Sequence, residues 1–264
     1  MRHLIALLLL LCPLSAPAQE VDVELLLMVD VSRSMSGAEL EIQRRGYIEA
    51  LLSPTVMSAI HAGLLGRVAI AYVEWAGVNS QTTIVDWTMI AGEDDARDFV
   101  EKLSRSIPVG LRRTSISGAL EFGAQMIARN TYQGLRRVID MSGDGPNNQG
   151  RNVTDARDRV LDQGIVINGL PLMTRDGVDT PWHLEDLDEY YVNCVIGGPG
   201  AFAIPVTHWA EFAEAVRRKL VLELVGLPSL PPIRARTFGA TPTGYDCEIG
   251  EKMWQRNFQY WQDR

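Results

Sequence analysis

The stretch Leu25-Leu26-Leu27-Met28-Val29-Asp30-Val31-Ser32-Arg33-Ser34 places an apolar run directly ahead of an aspartate, with serines two and four positions after it. A run apolar on both faces belongs to a central strand of a parallel sheet, covered by helices on either side. Asp30 then falls at the carboxyl end of that strand, where open α/β sheets bind their ligands. Asp30, Ser32 and Ser34 offer one carboxylate and two hydroxyls over a single turn. Such a hard oxygen set suits Mg²⁺, Mn²⁺ or Ca²⁺ better than Zn²⁺. The plainer alternative is a strand–helix turn in which Ser34 or Ser36 caps the next helix.

Downstream, apolar patterns of two periods alternate along the chain. Glu39 to Leu52 carries Leu40, Tyr47, Ile48, Leu51 and Leu52 at helical spacing, and Pro54 stops it. Arg67 to Trp75 reads as a second buried strand, and Thr82 to Thr88 as a shorter edge strand. Asp94 to Leu103 reads as a helix, Arg136 to Ser142 as a strand, Asn152 to Gln163 as a helix and Ile165 to Leu170 as the fifth strand. Leu187 to Val195 is helix-like, Ala201 to Pro205 is expected as a last strand, and His208 to Leu222 as a long amphipathic helix. Strands alternating with helices in this way predict an α/β fold built on a parallel sheet.

Two further loops bear on Asp30. In Gly110-Leu111-Arg112-Arg113-Thr114-Ser115-Ile116-Ser117-Gly118-Ala119-Leu120 a loop runs into a helix, and Thr114 or Ser115 is placed to cap it. In Ser142-Gly143-Asp144-Gly145-Pro146-Asn147-Asn148 an aspartate follows a strand end between two glycines that allow a sharp turn. The glycines at 143, 145 and 150 do not have G-x-G-x-x-G spacing, which argues against a dinucleotide loop.

Taken together, the D-x-S-x-S turn, the threonine ahead of an Ala-Leu pair and the Asp-Gly after a strand resemble the metal-ion-dependent adhesion site of von Willebrand factor A domains. The resemblance covers about Val23 to Val225. It implies a Rossmann-like, doubly wound and mainly parallel sheet with helices on both faces, with Ser32, Ser34 and Thr114 as metal ligands, and with Asp30 and Asp144 coordinating directly or through water. The metal carboxylate then falls on Asp144 and not on Asp140, which lies inside the strand. The segments Tyr72 to Gly77, Ser142 to Asn148 and Val195 to Phe202 further resemble a group of exported bacterial A-domain proteins without an assigned function.

The family resemblance implies a divalent cation, Mg²⁺ first and Mn²⁺ or Ca²⁺ as alternatives. It also implies a protein partner that presents an Asp or Glu to that cation. Arg33, Arg112 and Arg113 fall on the same loops, where they would steer an acidic ligand or simply stand solvated. Two other functions stay open at this point: a phosphoryl-transfer enzyme using Asp30, and a scaffold with a purely structural metal. Against the first, Ser32 stands where a haloacid-type phosphatase has its general acid. No G-x-S-x-G elbow is present, and the four histidines show no pairing.

Residues 1–18 read as a secretory signal peptide, with Leu4 to Leu14 as its apolar core and Ala16-Pro17-Ala18 as its cleavage site. That run is too short to cross a bilayer, and no second run approaches the length of a span. The expected product is exported, periplasmic or extracellular. Loss of Arg2 takes its formal charge from −8 to −9, which disfavours sequence-independent nucleic-acid binding. Cys194 and Cys247 then remain as an even pair, for which a disulfide is the simplest expectation and two separate buried thiols the alternative. Residues 19–225 are expected to form the A-type domain, with 226–264 as an extension packed on it. Within that extension Leu227 to Pro232 is an extended linker, and Trp254, Phe258, Tyr260 and Trp261 make the tail aromatic. Thr174 to Asp188 reads as an insertion at the ligand end of the sheet.

Overall fold

The computed structural model describes residues 18–107, 109–174, 183–226 and 244–262. In chain order these form β1 (Gln19–Asp30), α1 (Gly37–Leu51), α2 (Pro54–His61), β2 (Val68–Trp75), β3 (Gln81–Ile90), α3 (Glu93–Arg105), α4 (Ile116–Arg129), β4 (Tyr132–Gly143), α5 (Val153–Leu161), β5 (Val166–Pro171), α6 (Leu187–Tyr190), α7 (Phe212–Val225) and α8 (Ile249–Gln262). The signal-peptide reading, the Leu227 to Pro232 linker and most of the Thr174 to Asp188 insertion lie outside the described residues.

The sheet order is β3-β2-β1-β4-β5, and every pairing is parallel except β2 with the edge strand β3. From β1 the chain winds outward through β2 and β3, then returns to the other side of β1 to lay down β4 and β5. The winding therefore reverses between β1 and β4, which opens a crevice at their carboxyl ends. Met28 pairs with Met141 and Val29 with Ser142, so Asp30 and Asp144 leave the sheet side by side.

Alternation along β1 builds two cores. Val23, Leu25, Leu27 and Val29 face the layer of α1, α2, α3 and α7, while Leu26 and Met28 face the layer of α4, α5 and α6. Ile70 and Tyr72 of β2 join the first core, and Ala71, Val73 and Trp75 the second. All five residues from Leu25 to Val29 are fully buried. Truncating one of these leucines to alanine costs about 2–5 kcal/mol.

Three local expectations are corrected. Pro54 does end α1, but Pro54–His61 forms α2, with Ser53 as its side-chain cap and the proline in the first turn, where its missing N–H is harmless. The edge strand runs the full Gln81–Ile90 and is not short. Residues 201–205 form no ladder strand. Ala203 meets Gly169 of β5 in an isolated parallel bridge, and just past both segments Val206 meets Leu172 in another. Pro205 has no N–H to donate, and the Asn168 side chain takes the Phe202 amide at 3.1 Å.

Cys194, in the π turn Tyr191–Val195 that continues α6, is bridged to Cys247 just ahead of α8. With a sequence separation of 53, closing this loop in the unfolded chain corresponds to about 4 kcal/mol of stabilisation.

A second buried polar cluster ties α7 to the sheet. The ammonium of Lys219 on α7 lies 2.6 Å from Asp140 of β4 and 2.5 Å from Glu223 one turn on, with all three side chains almost fully buried. Asn168 of β5 donates to Glu223 at 3.0 Å. One cation faces two carboxylates, so burial and the neighbouring Asp140 push the Glu223 carboxyl from its ordinary 4.5 up to about 7. Between these values the folded chain holds a proton that the unfolded chain has released, so this group's contribution to stability declines as pH rises through that window. Urea unfolding is expected to show a falling midpoint between about pH 5 and about pH 8, and Glu223→Gln is expected to flatten that fall. Lys219→Ala, which strands two buried carboxyls, is expected to lower unfolding free energy by about 3–5 kcal/mol.

Candidate functional site

The crevice between β1 and β4 is walled by three loops. Asp30 ends β1 and is fully buried. Its Oδ1 accepts the Ser32 amide at 2.7 Å, and its backbone carbonyl accepts from Gln43 of α1 at 2.9 Å. Among the described residues Asp30 Oδ2 is buried without a hydrogen-bond partner. A side chain at Gly143 would place its Cβ 2.9 Å from that oxygen and 2.9 Å from the Tyr191 hydroxyl, so only glycine leaves this space open.

Above Asp30 the site opens to solvent. The Ser32 and Ser34 hydroxyls lie 2.9 Å apart, and Ser34 donates to Asp144 Oδ1 at 2.8 Å. Ser34 is exposed and Asp144 partly so, whereas Ser32 and Thr114 are buried. Burial, followed by the charge of Asp144, raises the Asp30 carboxyl well above its ordinary value. Partial withdrawal from water, with Glu39 nearby, lifts Asp144 to about 6. Two carboxyls whose ionisation is disfavoured together therefore share one cleft with a row of hydroxyls.

The three loops close on one another in a ring. Leu111 joins the first through Leu111 N to Val31 O at 2.9 Å and Arg33 N to Leu111 O at 2.7 Å. Thr114 and Asn148 exchange bonds: the Thr114 amide donates to Asn148 Oδ1 at 3.0 Å, and the Asn148 amide donates to the Thr114 carbonyl at 2.8 Å. Ser34 to Asp144 completes the circuit.

Helix capping, the plainer role for these side chains, is performed by their neighbours. Ser36 caps α1 in a reciprocal arrangement with Glu39, and Ser115 caps α4 by accepting the Gly118 amide at 3.1 Å. Ser34 and Thr114 cap neither helix.

The rim arginines are not alike. Arg33 donates to the Gly110 carbonyl at 3.2 Å and Arg112 stands exposed. Arg113 adopts a left-handed backbone, φ 77°, unusual for a residue with a Cβ, and lays its guanidinium 3.7 Å over the ring of Trp254.

Several residues at the site carried no signal in the linear pattern. Gln43 lies buried between Leu40 and Tyr47 on the inward face of α1, Glu39 is partly exposed in its first turn, and Tyr191 lies in a stretch read simply as helix. Asn147 and Asn148 stand in the loop after Asp144, and only the folded loop reveals that Asn148 carries Thr114. Among the described residues no three His, Cys, Asp or Glu side chains converge as a metal-binding group. The side chains brought together at the crevice are the carboxyls of Asp30 and Asp144 and the hydroxyls of Ser32 and Ser34, with Thr114 held beside them through its backbone.

Comparison with known proteins places this architecture. The fold is similar to that of proximal thread matrix protein 1 from the mussel byssus, with TM-score 0.54 and 13% identity over 79% of this chain and 49% of that one. A crystal form of that mussel protein carries a zinc-occupied MIDAS motif. Also similar are the pilus adhesin SpaC of Lactobacillus rhamnosus GG (TM-score 0.54, 14% identity, 79% and 31% of the two chains) and a von Willebrand factor type A protein of Catenulispora acidiphila (TM-score 0.51, 13% identity, 78% and 43%). This chain thus spans about half the length of the mussel protein and about a third of the adhesin. No curated protein matches in sequence. The fold is the Rossmann-like α/β fold of von Willebrand A domains, and over residues 20–228 the chain matches, and belongs to, the family described as "Protein of unknown function (DUF1194)".

Proposed function

We propose that this protein is a metal-dependent protein-interaction module, in which Asp30, Ser32, Ser34, Thr114 and Asp144 hold a divalent cation that receives an acidic side chain of a partner. The observation that carries this function is the division of labour at the loops. Ser36 and Ser115 do the capping, which leaves Ser34 to bond Asp144 and leaves the Thr114 side chain without a capping role, beside a crevice in which, among the described residues, Asp30 Oδ2 is buried without a hydrogen-bond partner.

The residues fit a hard cation on chemical grounds. All the donors are oxygens, which suits Mg²⁺ first and Mn²⁺ or Ca²⁺ next. Two carboxyls forced together in a partly dry cleft are costly when ionised, and a divalent charge between them removes that cost. Two carboxylates against a divalent cation also leave the assembly close to neutral. Bound there, the cation would supply a Lewis-acidic position for an Asp or Glu from outside. The chain's own residues do the rest: Gln43 and the Ser32 amide orient Asp30, Gly143 keeps the floor open, and Asn148 fixes Thr114. Arg33 and Arg112 give the mouth a positive fringe that would favour an acidic partner over a basic one. The adhesin and the zinc-bearing mussel protein of the same fold are consistent with this function.

Calorimetric titration of the chelator-stripped protein with Mg²⁺, Mn²⁺ and Ca²⁺ is expected to show one-to-one binding. Asp144→Ala is expected to abolish it, and Ser34→Ala to weaken it by at least about tenfold. Absence of binding by the unaltered chain would overturn the proposal. A stability measurement adds a second check. Asp30→Asn, which relieves a buried like-charge pair, is expected to raise the urea midpoint of the metal-free protein while removing its metal response. A lowered midpoint would mark Asp30 as a structural rather than a ligand-binding carboxylate.

A further inference from the structure

The helix α8 comes after the whole A-type fold is complete, yet it rests on two of the three site loops. Its first turn grips Asn147, three residues beyond Asp144. A Cβ at Gly250 would lie 2.1 Å from the Asn147 carbonyl oxygen, so helix backbone and loop backbone meet with no room for a side chain between them. Glu251 Oε1 accepts from Asn147 Nδ2 at 2.7 Å. Asn147 in turn accepts the Ser117 amide at 3.0 Å and donates its own amide to the Tyr190 hydroxyl at 3.1 Å. One turn further along α8, the Trp254 ring lies under Arg113, the residue next to Thr114, and stacks on Phe258 with centroids 4.9 Å apart. The left-handed backbone at Arg113 is thus held by a contact from outside its own loop. At the head of the helix, Tyr245 reaches Asp186 at 3.1 Å and Cys247 is bonded to Cys194.

We propose that α8 is a positioning element of the crevice, locked by the Cys194–Cys247 disulfide, and that thiol–disulfide exchange at this bond controls how firmly Asp144 and Thr114 are held. As a statement about metal binding it rests on the function proposed above; as a statement about the loops it does not. Cys194 is fully buried and Cys247 is partly exposed, which leaves the Cys247 sulfur as the point of attack. A dithiol reductant would attack there as thiolate, forming a mixed disulfide and releasing Cys194 as a thiolate that takes up a proton. Its second thiol then displaces Cys247. Two electrons and two protons pass to the protein, which gains two thiols while the dithiol becomes a disulfide. With the bond broken, only the chain through residues 227–243 would join α8 to the domain, so its grip on Asn147 and Arg113 becomes an equilibrium rather than a fixture.

The test uses the full chain, metal-free, oxidised or reduced with dithiothreitol, and follows backbone hydrogen exchange together with Mn²⁺ titration. Reduction is expected to speed exchange at Asn147, Asn148 and Ser115 at least about tenfold and to weaken Mn²⁺ by a similar factor, with Leu25 to Val29 exchanging as before. Glu251→Leu and Trp254→Leu keep the disulfide and are expected to give the same loop-specific change, which protects the test against a Cys194→Ser/Cys247→Ser variant that fails to fold. Unchanged loop exchange after reduction and in both variants would overturn the proposal. So would faster exchange with unchanged Mn²⁺ affinity. If the oxidised chain binds no Mn²⁺ but its loops loosen on reduction, the lock stands and the metal function alone is lost.

Discussion

Pairing of β1 with β4 brings two chain segments more than a hundred residues apart into register, and the site follows from that pairing. Because the winding reverses between these strands, their carboxyl ends are not roofed by a crossover helix, and the loops leaving them enclose a cleft. Asp30 closes its floor and Asp144 stands at its mouth, with the Ser34 hydroxyl joining Asp144 to the Ser32 hydroxyl across the gap. Among the described residues neither carboxylate is paired with a basic side chain, although Arg33 and Arg112 lie on the neighbouring loops. A buried carboxylate oxygen with no donor, such as Asp30 Oδ2 among the described residues, is costly, and such costs gather where a protein binds something.

The molecule contains a useful contrast to that cleft. Asp140, only two residues from the end of the β4 core pairing with β1, is also a buried carboxylate, but Lys219 reaches it from α7 and the space around it is filled. The two aspartates of β4 and its following loop therefore have opposite roles for one geometric reason. Asp140 points into the α1/α7 layer within the sheet, where a long cationic side chain can meet it. Asp144 has passed the end of the sheet, where loops and solvent are its neighbours.

The tail adds a third layer of organisation. In a fold whose ligand end is made of loops, rigidity has to come from contacts between them, and the Thr114–Asn148 exchange supplies one such contact. The grip of α8 on Asn147 and Arg113 supplies others from outside the ring.

The linear sequence determined a good deal here. Five consecutive buried residues before Asp30 leave no option but a central parallel strand, and periods of two and of about three and a half then fix the order of elements. The short-range motifs at Asp30, Thr114 and Asp144 were legible because each is a strand end or a helix start, features set by local chain geometry. Cys194 and Cys247 were legible as a pair by simple arithmetic, and the structure joins them. Other features depended on contacts between distant segments. Which serine caps a helix and which bonds Asp144 is decided by how the loops are placed in the fold. That residues 201–205 never become a ladder strand depends on Asn168 of β5 capturing an amide of that segment. That Lys219 belongs to Asp140, that Tyr191 lies behind Asp30 and that α8 leans on the site loops are consequences of packing across the sheet. Sequence spacing carries no record of them, because tertiary structure alone brings such residues within bonding distance.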